Sequence, residues 1–257
     1  MSISNIEKQK KEIPLLLYPP LIEAIFELHW ELETDKQSGR MRDPTYPMMY
    51  GRLYERLKKN FPYTEDLPAN QVHPEASPYV VRHRIRKEKM GYPLIQVGPG
   101  IATVNMAGAY SWTDFSTQIL TLIETLTEVA ALNFKKCELR YFNGVRVEQD
   151  SPLSFLLEKM HIKLELDSDL PEPNGVNLAL SYPLQNPKGN LGLNVHLGQM
   201  NSNPAYLFQT QVISLGEWVP NDSSGFIPWL VGAHDALTKS FHSLCKGPLM
   251  DKFCGGT

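Results

Sequence analysis

The sequence predicts an α+β fold, and three observations carry that expectation. Residues 22–32 carry an apolar side chain at every second position, as a half-buried strand does. Residues 111–129 place their apolar side chains three and four apart, as an amphipathic helix does. The second half is a succession of extended stretches separated by PEPNG, QNPKGN and QMNSNP, each dense in turn residues. The finer expectation is a split βαβ (ferredoxin-like) first half, residues 1–150. An antiparallel sheet with a C-terminal helix follows over 151–257, and the two sheets are free to join into one structure.

Taken in order, residues 1–13 are polar. Pro14, Pro19 and Pro20 then hold an extended lead-in, because proline fixes φ and disfavours helix in the residue before it. In the first strand Ile22, Ala24, Phe26, Leu28, Trp30 and Leu32 share one face, while Glu23, Glu27, His29 and Glu31 stand between them. Thr34 to Pro47 reads as loop. Met49, Leu53, Leu57 and Phe61 then recur at helical spacing. Residues 79–87 (YVVRHRIRK) and Tyr92 to Met106 predict a hairpin, broken around Gly98-Pro99-Gly100.

The clearest helix starts at Ser111, three residues ahead of Asp114 as in a capping box, and its buried stripe is Trp112, Phe115, Ile119, Leu122, Leu126 and Val129. Residues 137–148 (CELRYFNGVRVE) return to strand. The order β, α, β, β, α, β is that of a split βαβ unit. Beyond it, 153–160 offers a helical turn or two, and extended stretches fall near 162–168, 176–184, 191–199 and 205–215. Asp222, Ser223 and Ser224 cap a last helix with Pro228 in its first turn and Phe226, Leu230, Ala233, Leu237, Phe241 and Leu244 on its buried side. The tail beyond Pro248 reads as loose.

Composition narrows the classes. A formal charge of −3 over 257 residues gives no global field toward nucleic acid or anionic lipid, although a local basic patch remains open. Cys137, Cys245 and Cys254 are odd in number and widely spaced, which argues against a disulfide framework and a cysteine zinc site. The amino terminus, MSISNIEKQKKEIP, carries charge where a signal peptide needs an apolar run, and no stretch reaches membrane-spanning length. The expectation is a cytoplasmic protein away from membranes. The chain also contains no G-x-S-x-G, H-E-x-x-H, P-loop, dinucleotide fingerprint or EF-hand loop, and no cofactor is expected.

Two groups of residues merit most attention as sites. Glu27, His29 and Glu31 lie on one strand face at intervals of about 7 Å, a polar site that would need help from another strand to hold a metal ion. Arg82, Arg84 and Arg86 form a guanidinium row, which Arg146 and Arg140 could extend. In a split βαβ sheet that row would neighbour the first strand, so the preferred reading is a structural ladder of opposite charges. The sharper alternative is phosphate binding by Arg82, Arg84, Arg86 and Arg146 with Tyr141 or Phe142 stacking on a base. Elsewhere, His234 reads as a partly buried, hydrogen-bonded histidine. Asn194, His196, Gln209 and Gln211 read as a polar sheet face, and Asp167-Ser168-Asp169 reads as an ordinary acidic loop.

The blocks YPPLIEAIFELHW, QVGPGIATVN followed by YSWTDF, LRYFNGV, and AHDALTKSFHSL resemble, in their order and spacing, a sporadically distributed family of bacterial proteins of about this length without an assigned activity. The likeness covers nearly the whole chain. It implies the patchy distribution of horizontally transferred genes, such as those of phage defence or toxin–antitoxin pairs, where partner binding is a common role. The matching positions Glu23, Trp30, Gly98, Gly100, Trp112, Arg140 and Phe241 look like framework residues as much as functional ones. Three functions follow as expectations: a non-enzymatic protein-binding component, a nucleic-acid-binding accessory using the arginine row, or an enzyme of unrecognised type centred on Glu27, His29 and Glu31. A protein partner is the first of these, and a homo-oligomer is compatible with an open sheet edge.

Overall fold

A computed structural model describes residues 16–73, 77–147, 151–165, 169, 171, 173, 175–245 and 247–255. The alternating first segment is strand β1 (Leu21–Trp30), with Ala24, Phe26, Leu28 and Trp30 fully buried. Two short strands, β2 (Glu33–Thr34) and β3 (Met41–Arg42), pair with each other, and α1 (Tyr46–Leu57) follows. Next come β4 (Tyr63–Asp66), β5 (His83–Arg86), β6 (Leu94–Gly98), β7 (Ile101–Met106), α2 (Trp112–Val129) and β8 (Phe134–Arg146). The second half holds α3 (Pro152–Lys159), β9 (Asn177–Gln185), β10 (Lys188–Met200), β11 (Asn203–Leu215), α4 (Ser223–Leu244) and α5 (Gly247–Cys254).

Nine strands make one antiparallel sheet in the order β4-β5-β6-β7-β1-β8-β11-β10-β9, so the fold is α+β with a C-terminal helix. A self-contained four-stranded first half is not delimited. β8 runs thirteen residues with an apolar face, and its far edge is covered by β11, Leu139 opposite Val212. Left unpaired, that edge would present a long row of open backbone groups. At the other side β5 and β4 continue the sheet beyond β6.

The remaining elements differ from expectation for local reasons. The break at Gly98-Pro99-Gly100 is the turn of the β6–β7 hairpin, and a Cβ on Gly98 would overlap the Val80 carbonyl. Residues 162–165 form no strand, so three strands make the second-half meander; 166–168 lie outside the described residues, as do the first fifteen. Pro228 falls in the second turn of α4, whose cap is Asp222, accepting from the Gly225 N–H at 2.8 Å. The tail is helix α5, with Leu249 and Phe253 buried against the ring of Phe241 and the Tyr18 N–H donating to the Phe253 carbonyl.

α1 begins before the predicted stripe because Asp43 organises the approach. Its Oδ1 accepts from the Thr45 hydroxyl and the Thr45 and Tyr46 N–H groups, and its Oδ2 accepts from Trp30 Nε1 at 2.8 Å and the Gly100 N–H at 3.1 Å. One carboxylate thus ties a helix start, a strand and a hairpin turn. Asparagine can offer an oxygen to one side only, so Asp43→Asn is expected to cost about 1–2 kcal/mol in urea unfolding.

Among the described residues, the five α-helices cover one side of the sheet. One apolar cluster joins α1, α2 and most of α4 to Phe26, Val104, Leu139 and Val212. A second joins α3, α5 and the end of α4 to Val145, Val195 and Phe208. The residues that alternate with these strand positions face the other way, and among the described residues no helix lies over them.

Candidate functional site

The helix-free face carries the polar half of β1. Register sets Glu27 directly opposite Glu138 on β8, two carboxylates side by side. Lys136 and Arg140 flank Glu138 two residues to either side and so emerge on the same face. Lys136 Nζ lies 2.9 Å from Glu27 Oε1 and 2.8 Å from Glu138 Oε2. Arg140 Nη2 donates to Glu27 Oε2 at 2.6 Å. Its Nε sits 3.2 Å from Glu138 Oε1 as an ion pair, but the N–H is not aimed well enough for a hydrogen bond. His29 Nε2 is 2.7 Å from Glu27 Oε1, and its ring stacks on Tyr79 with centroids 5.0 Å apart.

Cations and carboxylates therefore alternate around a square, and Glu138 within it is only 3 % exposed. Burial by itself would raise the Glu27 carboxyl, but the hydrogen bond with His29, that from Lys136 and the charges of Lys136 and Arg140 outweigh it and hold the group well below the usual carboxylate range. Burial would likewise lower Lys136, and its two carboxylates reverse that and raise it. Each of the four carboxylate oxygens of the square faces a cation within 3.2 Å. Among the described residues there is no group of three or more His, Cys, Asp or Glu placed to hold a metal.

Of the three residues singled out from sequence, Glu27 and His29 come together on β1 and Glu31 does not join them. Glu31 lies past the end of β1, where it accepts from Asn133 Nδ2 at 2.6 Å and sits 3.6 Å from Lys135. The ladder of opposite charges exists, but its partner strand is β8 rather than the arginine strand β5. The reason is topological: β6 and β7 stand between β1 and β5.

The arginine row is dispersed. Arg82 is buried and ties a loop, donating to the Val72 carbonyl at 2.6 Å and Ser77 Oγ at 3.0 Å. Arg84 and Arg86 share one carboxylate, Glu65 on β4, at 3.1 and 3.4 Å. Arg146 is exposed at the end of β8, four strands away from β5. Sequence reasoning missed Lys136, Glu138 and Glu65. For the first two a signal existed: K-x-E-x-R repeats opposite charges with period two in a segment that also alternates apolar residues.

Around the charged square the face is mixed. A polar chain runs from Gln96 through Asn105 to Glu23, with Thr103 donating to Asn105 Oδ1 at 2.7 Å. On β10 and β11, Asn194 stands opposite Gln209, which hydrogen-bonds Gln211. Between these polar groups Ile25, Phe142, Leu207 and Ile213 are half-buried. The Asp167-Ser168-Asp169 loop lies outside the described residues apart from Asp169.

On the helix side, His234 is partly buried and hydrogen-bonded, as its position predicts. Its Nδ1 meets the Tyr141 hydroxyl at 2.7 Å, that hydroxyl meets Tyr110 at 2.8 Å, and the imidazole lies flat on Trp112 with centroids 4.0 Å apart. Burial lowers its pKa to about 4, against a smaller opposing pull from Asp235.

Fold and site define an α+β protein with a self-neutralised charge cluster on the sheet face that no described helix covers. Compared with known proteins, the chain matches no family model and no curated protein. No helix among the described residues is long and apolar enough to cross a membrane.

Proposed function

We propose that the chain is a non-enzymatic protein-binding component, of the kind that works in bacterial defence or toxin–antitoxin pairs, and that its partner docks on the helix-free sheet face. The observation that carries this reading is the closed square of Glu27, Lys136, Glu138 and Arg140 with His29 and Tyr79 beside it. Charges already paired in the free protein leave no reactive group to spend. The half-buried Ile25, Phe142, Leu207 and Ile213 around them make the mosaic of apolar and paired polar surface that protein partners cover, with arginine and tyrosine as typical anchors. The order β8-β1-β7-β6, with α1 after β1 and α2 after β7, supports reading the first half as a split βαβ unit presenting that face.

Affinity purification from the source cells tests the reading. The tagged chain is expected to retain a specific protein, and Phe142→Lys, whose ammonium would sit opposite Glu23, is expected to lose it by at least about tenfold while staying folded. Equal capture by both forms would refute docking on this face.

Nucleic-acid binding is the second reading, favoured only by Arg84, Arg86 and the exposed Arg146. With Arg84 and Arg86 held by Glu65, oligonucleotide affinity is expected to be weak. Tight binding that falls steeply with salt and disappears in Arg84→Glu would replace the first reading with this one.

A further inference from the structure

The two edges of the sheet are finished differently. β4 has four residues, all exposed, among them Glu65 and Asp66, which discourage the addition of a like strand. β9 has nine, NLALSYPLQ, without a single charge. Its Leu180 and Tyr182 are 38 % and 47 % exposed. With Leu178 and Leu184 they form the floor of a cleft of about 620 Å³ on the helix side, whose other wall is α4 from Gly232 to Leu244. An uncharged strand edge and a cleft with an apolar floor, whose α4 wall also carries Asp235 and Lys239, therefore share one border, remote from the charged square.

We propose that this edge takes a second copy of the chain, the two β9 strands pairing antiparallel about a two-fold axis at Leu180. A two-fold contact sets a strand against itself, so any charge it carries meets its own kind; β9 passes that condition and β4 does not. The pairing is also self-complementary residue by residue. Leu180 falls opposite Leu180 of the second copy, and Leu178 opposite Tyr182, all on the helix side where the cleft is apolar. Ala179 falls opposite Ser181 on the other side. Pro183, which has no N–H to give, meets Asn177 at the margin and ends the ladder there. Each apolar cross-strand pair contributes modestly, and the pairing takes part of the exposed Leu180 and Tyr182 surface out of water. The helix-free faces of the two copies then lie side by side, so this inference stands independently of what docks on them.

Sedimentation equilibrium on the full chain over a micromolar concentration series tests it. The wild type is expected to have twice the chain mass, and Leu180→Lys, which sets two ammonium groups together on the axis, to be monomeric with an unchanged far-ultraviolet circular dichroism spectrum. Leu180→Cys is expected to form a disulfide-linked dimer on mild oxidation, since directly opposed strand residues lie within disulfide reach, whereas Gln185→Cys, beyond the ladder, is not. A wild type that stays monomeric overturns the proposal, whether or not an unrelated extended peptide occupies the edge. So does a dimer that survives Leu180→Lys, or one in which Gln185→Cys crosslinks and Leu180→Cys does not.

Discussion

Arg140→Leu is expected to destabilise the protein by about 3–5 kcal/mol, the cost typical of breaking a buried ion pair from one side. Arg140 answers two carboxylates at once, Glu27 at 2.6 Å and Glu138 at 3.2 Å. Without it those carboxylates, directly opposite each other across β1 and β8, share only Lys136. Glu138 cannot relieve the repulsion by turning to solvent, because it is 3 % exposed. The double variant Arg140→Leu with Glu138→Leu removes one charge of each sign and leaves Glu27 with Lys136 and His29. It is expected to recover most of the loss, since a well-packed apolar pair often replaces a buried ion pair at little cost. Urea unfolding of the wild type, both single variants and the double variant measures the coupling. A single-variant loss below about 1 kcal/mol would class the square with ordinary surface ion pairs.

What could be read in advance follows from how local the information is. β1 announced itself because every second residue is apolar and most of those between are charged, and α2 and α4 because a polar cap precedes a periodic stripe: Ser111 accepts from the Asp114 N–H, and Asp222 from that of Gly225. β4 was invisible, since YTED is exposed throughout and carries no alternation; it is a strand only because β5 lies beside it. Helix α5 was invisible for a related reason, its buried anchors being too few to show a period. The charge cluster was half legible. Glu27 and His29 declared a polar face, but two basic rows in the chain could have met it, Arg82-Arg84-Arg86 and Lys136-Arg140. Choosing between them requires knowing which strands flank β1, a long-range fact that strand sequences do not encode singly.

Acid should lower the protein's stability over two pH windows, the upper one by more than a surface histidine would produce. His234 has an ordinary value of 6.5 and a folded value of about 4. Between those values the unfolded chain binds a proton that the folded protein refuses, so stability falls as pH drops through that window and is flat above it. The shift corresponds to roughly 3 kcal/mol, and nearer 2 kcal/mol once partial exposure is allowed for. Glu27 acts lower down. Its folded value lies below the ordinary 4.5, so its contribution is complete above 4.5 and is lost as pH falls further. His234→Phe keeps a flat ring on Trp112 and leaves the Tyr141 hydroxyl bonded to Tyr110, yet has nothing to titrate. Its unfolding midpoint in urea is expected to decline less between about pH 7 and about pH 4.5 than that of the wild type, the remaining slope coming from His242, which burial also lowers. Glu27→Gln should retain the decline of the upper window and show a smaller further fall beneath it, where Asp35 and Asp222 still contribute. If the wild type is equally stable across the upper window, the His234 imidazole is as well solvated folded as unfolded, and the Tyr110–Tyr141–His234 chain opens readily to water.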